Sequence, residues 1–85
     1  MLLTTIIKLC DIVPIRIIEN VFIQWAEDLS DNKVPNVRLY TVYAFAKISQ
    51  YVERSNIEIN LAKLLVDDDP DVKYFAEENF RSIIN

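Results

Sequence analysis

The chain has 85 residues, 52% hydrophobic and 26% charged, with a formal net charge of −4. That length allows one small core, the composition is too apolar for a disordered tail, and the charge counts against nucleic acid or anionic lipid as a partner. One cysteine, no histidine and no glycine exclude an internal disulfide, make a poor start for a metal cage, and remove the residue on which phosphate loops and nucleophile elbows depend.

Residues 1–13 read MLLTTIIKLCDIV. No basic residue precedes the apolar run and Lys8 and Asp11 interrupt it, so it is not read as a signal peptide. No stretch approaches the ~18 uncharged apolar residues of a membrane span. A helix is expected over residues 2–12. Cys10 lies in an apolar run with no histidine to activate it, so it reads as a small core residue of a reducing compartment, cytoplasmic or nuclear.

Pro14 fits the first turn of a second helix, where its missing N–H costs nothing. Ile18, Phe22, Trp25 and Leu29 step by helical intervals and place Trp25 in the core. The polar turn Ser30-Asp31-Asn32-Lys33 ends this helix, and Pro35 opens the third. Val37, Thr41, Ala44, Ile48 and Val52 mark one face of it. Tyr40, Tyr43, Phe45 and Tyr51 widen the apolar surface nearly all round, so neighbours are expected on several sides. Ser55 and Glu58 have capping-box spacing and predict the start of a fourth helix, with Ile57, Leu61, Leu64 and Leu65 inward. Asp67-Asp68-Asp69 stops it. Asp69 is a good N-cap for a fifth helix with Pro70 at its first position and Val72, Ala76, Phe80 and Ile83 on its face. The expectation is an all-α chain of five helices.

Two phrases repeat, VPNVR at 34–38 and DPDVK at 69–73. Pro35 and Pro70 are 35 residues apart, and the same offset pairs Leu29 with Leu64, Val37 with Val72, Arg38 with Lys73, Phe45 with Phe80, and Ile48 with Ile83. A fixed period of this length predicts an α-solenoid of stacked helical hairpins. About two and a half repeats are expected: residues 1–13 as the second helix of a truncated repeat, 14–53 as a repeat, and 55–85 as a terminal repeat.

The unit of helix, polar turn, Pro-x-Val-Arg/Lys and helix resembles the HEAT repeat. DNKVPNVRLYTVYAFAKI and DDDPDVKYFAEENF are similar to the C-terminal repeats of the scaffold (A) subunits of protein phosphatase 2A, and Thr4, Thr5 and Leu9 keep the TT-x-x-x-L spacing of the partial repeat. The resemblance implies a non-catalytic scaffold or regulatory subunit without cofactor, whose hairpin turns hold a serine/threonine phosphatase catalytic subunit. In such a stack equivalent turns line up along one edge. This makes Asn32, Lys33, Val34, Pro35, Asn36, Asp68, Asp69 and Asp71 the partner-binding candidates. The family also places an Asp six residues before the basic residue, in a polar ladder between neighbouring repeats. Asp67 and Lys73 fit, whereas the slot before Arg38 holds Asn32. An adaptor for another client, such as a transport cargo, and a small helical regulatory domain are the other readings.

Asp67, Asp69, Asp71 and Glu78 have the spacing of a calcium loop, but its glycine position holds Val72 and Pro70 lies inside it, so a turn and helix cap are expected instead. Glu77 and Glu78 diverge by about 100° on a helix and are not a carboxylate pair. No enzyme chemistry is expected. The first helix is expected to leave one side of Leu2, Ile6, Leu9 and Val13 uncovered and to self-associate there. The last helix, with Lys73, Glu77, Glu78 and Arg81, is polar enough to cap the stack.

Overall fold

A computed structural model describes the backbone of residues 2–84 and the side chains of 4–83. The described residues form five helices and no strand. The first, α1, runs over Leu2–Leu9. Residues 10–13 are turn and bend, shortening the helix relative to the sequence expectation. Pro14 is the reason: it drives its predecessor Val13 out of helical geometry. Pro14 itself is extended (φ −61°, ψ 148°) and stands outside the second helix as its N-cap.

The second helix, α2, spans 15–29 and is not regular. Ile15–Ile17 and Ile23–Leu29 are α-helical, and Ile18–Phe22 between them is a π-turn. The wider turn inserts an extra residue and rotates the face beyond it. Ile18, Phe22, Ile23 and Ala26 are buried, while Trp25 is 39% exposed. This corrects the expectation of a core tryptophan: Ala26 takes the inward place, and Trp25 stacks on Phe22 with ring centroids 5.8 Å apart.

Helix α3, Pro35–Ile48, is the hub. Val34 is its N-cap and Pro35 its first residue. It packs against α1, α2 and the last helix, with fewer approaches to the fourth. Thr41, Val42, Ala44, Phe45 and Ile48 are buried, so the expected all-round environment is present. The Thr41 hydroxyl donates back to the Arg38 carbonyl, which lets a polar side chain sit in the core.

The fourth helix, α4, is Glu58–Leu65, preceded by a 3₁₀ turn over Arg54–Asn56. The predicted capping box does not form. Ile57 occupies the N-cap position without a side-chain cap, Ser55 lies in the 3₁₀ turn, and Glu58 is the first helical residue. Ile57 is fully buried, and its anchoring in the core sets the helix start ahead of the local capping preference. The fifth helix, α5, is Pro70–Ile84. Its cap matches expectation: Asp69 Oδ1 accepts the N–H groups of Asp71 (2.9 Å) and Val72 (3.2 Å).

Helices α1, α3 and α5 form one row; α2 packs on α3 and α4 on α5. The molecule measures 34 × 29 × 17 Å, and the short dimension suits two helix layers about 10 Å apart. Of the apolar residues matched by the 35-residue offset, Phe45 and Phe80 are both fully buried, whereas Ile48, Val72 and Leu64 are buried and their counterparts Ile83, Val37 and Leu29 are half-buried. At the other end, Ile6 is fully buried and Leu9 and Val13 are half-buried against the core. This corrects the expected uncovered side of α1 at those residues; the side chain of Leu2 lies outside the described residues. Asp11 fastens α1 to the end of α3, accepting from the Tyr51 hydroxyl and from Lys47 Nζ at 3.1 Å.

Phe45→Ala should destabilise the chain by about 3–5 kcal/mol, the cost of emptying a buried phenylalanine site. Trp25→Ala should cost about 1 kcal/mol, because a half-exposed stacked ring gives up less. Urea denaturation of both variants measures the difference; equal costs would contradict the rotated face of α2.

Candidate functional site

The site is built where the turn between α2 and α3 meets the turn between α4 and α5. Arg38, in the first turn of α3, joins them. Its Nε donates to Asp67 Oδ2 at 2.8 Å and its Nη2 to Asp67 Oδ1 at 3.0 Å, a two-pronged match of guanidinium and carboxylate. Its Nη1 donates to the carbonyls of Asn32 (2.9 Å) and Lys33 (3.2 Å) in its own turn. One planar group thus holds both turns. The side chains of Arg38 and Asp67 are 17% and 10% exposed, so most of the pair is out of water.

Each turn is also internally braced. Asn32 Oδ1 accepts the Val34 N–H at 2.9 Å, and Asp67 Oδ1 accepts the Asp69 N–H at 2.9 Å. These are the local side-chain-to-backbone bonds that short polar residues make two positions on. Burial alone would push the Asp67 carboxyl up, but the Arg38 fork and the Asp69 N–H outweigh it and hold it below the ordinary carboxylate value. The Asp67 hydrogen bond raises Arg38 above its ordinary value despite partial desolvation.

A second tie joins α2 to α4. Lys63 Nζ donates to Ser30 Oγ at 3.3 Å and to the Asp31 carboxylate. Between these ties lies a groove of about 360 Å³, with Asp31, Lys33 and Asp68 at its margins and Val66 among its lining. Lys63, Ser30 and Val66 were missed by sequence reasoning. The repeat offset could not have found Lys63, since its counterpart 35 residues earlier is Asp28, of opposite charge. Val66 is 76% exposed, and in the sequence it is only the residue at which α4 runs out.

The candidate residues divide by role. Asn32 is half-buried and spent on its turn, and Asp69 is spent on capping α5. Lys33, Val34, Pro35, Asn36, Asp68 and Asp71 are exposed. Val34 presents 52% of its surface beside the groove. The side chains of Lys33 and Asp68 enter none of the described hydrogen bonds or ion pairs. Of the four ladder candidates, Arg38 and Asp67 meet directly, and Asn32 takes part through its carbonyl rather than its amide. Lys73 is exposed and stands apart from this network, because Asp67 is occupied by Arg38 of the preceding hairpin.

The calcium-loop spacing has a different use here. The carboxylates of Asp67 and Asp69 face Arg38 and backbone N–H groups, and Asp71 and Glu78 lie on α5. Among the described residues, no group of three or more His, Cys, Asp or Glu is placed to hold a metal ion. No helix among them is long and apolar enough to cross a membrane. Cys10 is 1% exposed, and burial pushes its thiol above the ordinary value. No family model, no curated protein and no solved structure matches the chain.

Asp67 sets a pH dependence. Its folded pKa lies below the ordinary 3.8, so the folded chain binds this proton more weakly than the unfolded chain. The stabilisation is therefore complete above the unfolded value and is lost as pH falls through the lower folded value. Asp67→Asn should cost about 2 kcal/mol at neutral pH by breaking the charged fork, and should flatten the acid limb of stability. Urea midpoints of both proteins between pH 7 and roughly pH 2, spanning the carboxylate range, test this. Parallel acid limbs would count against the assigned role.

Proposed function

We propose that the chain is a non-catalytic scaffold of HEAT type, with about two and a half repeats, whose paired hairpin turns hold a serine/threonine phosphatase catalytic subunit. The observation that carries this reading is the Arg38–Asp67 fork, which fixes two successive turns side by side with an exposed Val34 and the uncommitted charges of Lys33 and Asp68. A rigid edge of this kind suits recognition, because its exposed side chains are presented without first having to be ordered. The partner is drawn from the resemblance of the VPNVR and DVKYFA phrases. The two-row packing of α1–α3–α5 and α2–α4 supports the stacked-hairpin reading. A cytoplasmic or nuclear location belongs to the same proposal.

Binding should centre on Val34. Placing a charge there with Val34→Asp should weaken binding to a purified catalytic subunit by about 2 kcal/mol, by leaving that charge desolvated in the contact. Circular dichroism should be unchanged, since the position is exposed. Asp68→Lys should act differently. It should slow association at low salt, with an effect that fades as salt screens the charge. Calorimetry and stopped-flow association measure both. Wild-type binding by both variants, with loss of binding in Glu53→Lys far along the chain from these turns, would refute the turn edge as the docking surface.

A further inference from the structure

Helices α3 and α5 carry a row of aromatic rings that the turn groove does not include. Tyr40 meets Tyr43 at 6.4 Å between centroids, Tyr43 meets Phe75 at 6.1 Å, and Phe75 meets Tyr74 at 5.4 Å. The row crosses from one helix to the other without a break. Its middle rings, Tyr43 and Phe75, are half-buried, while the outer rings, Tyr40 and Tyr74, are 44% and 56% exposed. The row thus has two half-buried rings in its middle and an exposed tyrosine at each end. The core does not require the outer rings, as the inward positions of both helices are filled by Thr41, Phe45, Val72 and Ala76.

We propose that this row docks an extended, proline-rich segment of a partner protein that carries a basic side chain. The shape argument comes first. Proline rings pack against aromatic faces, and a polyproline II segment arrives already extended, with little conformational entropy to lose. Charge complementarity supplies the basic group. Asp71 and Glu78 lie about one turn to either side of Tyr74 and Phe75 on α5 and both are exposed, but Glu78 is paired with Arg81 at 3.3 Å. Asp71 offers its carboxylate uncommitted, and tyrosine faces attract a guanidinium in their own right. The nearby Lys47 does not reverse this sign, because it is paired with Asp11. The uncommitted Asp71 carboxylate disfavours stacked nucleic-acid bases, whose phosphates it would repel, and anionic lipid.

The test is a fluorescence-anisotropy titration of the full chain into a labelled polyproline peptide with one central arginine. The peptide should bind, and its glutamate-for-arginine counterpart should bind several-fold more weakly. Tyr74→Ala and, on the other helix, Tyr40→Ala should each weaken binding by about tenfold while circular dichroism is unchanged. Asp71→Asn should weaken it about threefold at low salt and reduce its salt dependence. The proposal is overturned if the peptide does not bind the intact chain, or if both tyrosine variants bind it like the parent. It is also overturned if sedimentation shows self-association that Tyr74→Ala abolishes, since a second copy would then occupy the row. Because two variants on separate helices are used, misfolding of one leaves the other decisive.

Discussion

The arrangement of the molecule depends on one guanidinium group. Arg38 spends three of its nitrogens on four acceptors: both oxygens of Asp67 and the carbonyls of Asn32 and Lys33. At an exposed site such a pair would contribute little. Here most of both side chains is out of water, so leaving either unpaired is costly, and the pair fixes position more than it adds net stability. Its geometry also demands arginine. Lysine carries a single ammonium and cannot present parallel donors to a carboxylate while reaching two carbonyls behind it.

That constraint explains an asymmetry in the repeat. Arg38 and Lys73 occupy matching positions, yet one is at the centre of a network and the other is solvated. The difference lies in the acceptor within reach of each. Next to Arg38 stands the turn between α4 and α5, which offers Asp67, whereas the side chain of Lys73 enters none of the described hydrogen bonds or ion pairs. The six-residue spacing between Asp67 and Lys73 is therefore not a pair in contact, and the matching slot before Arg38 holds Asn32. Among the apolar pairs only Phe45 and Phe80 are alike, both fully buried; in the other three one member is buried and the other half-buried.

How much of this was legible in the sequence depends on the range of the interaction that decides each feature. Pro35, Pro70 and Asp69 act within one helical turn, and the starts of α3 and α5 were readable from them. The period of 35 residues placed the two turns in correspondence, and Arg38 and Asp67 were readable as ladder members though their direct pairing was not spelled out by spacing. The features that escaped were decided by tertiary packing. A regular 3.6-residue period puts Trp25 inside, and the π-turn at Ile18–Phe22 puts Ala26 there instead. Ser55 and Glu58 carry a good local cap, and the burial of Ile57 overrides it. The Lys63 tie to Ser30 and Asp31 is a polar contact between helices in the same row, for which a single sequence gives no signal.

The turn edge and the aromatic row are mechanically linked, since both are carried by α3 and α5. Arg38 stands in the first turn of α3, and Tyr40 and Tyr43 come within the next two. Asp67 directly precedes the turn that starts α5, and Tyr74 and Phe75 lie in its second turn. A sliding of α5 along α3 would open the Arg38–Asp67 fork and separate Tyr43 from Phe75 together. The fork is directional and tolerates little displacement, whereas ring contacts near 6 Å are soft over a wider range. The fork therefore sets the offset between the helices, Phe45 and Phe80 hold their separation, and the spacing of the aromatic row results from both. A partner that strained the turns would be felt at the rings through this shared helix pair, because the 17 Å thickness of the molecule leaves no layer between them to absorb the shift.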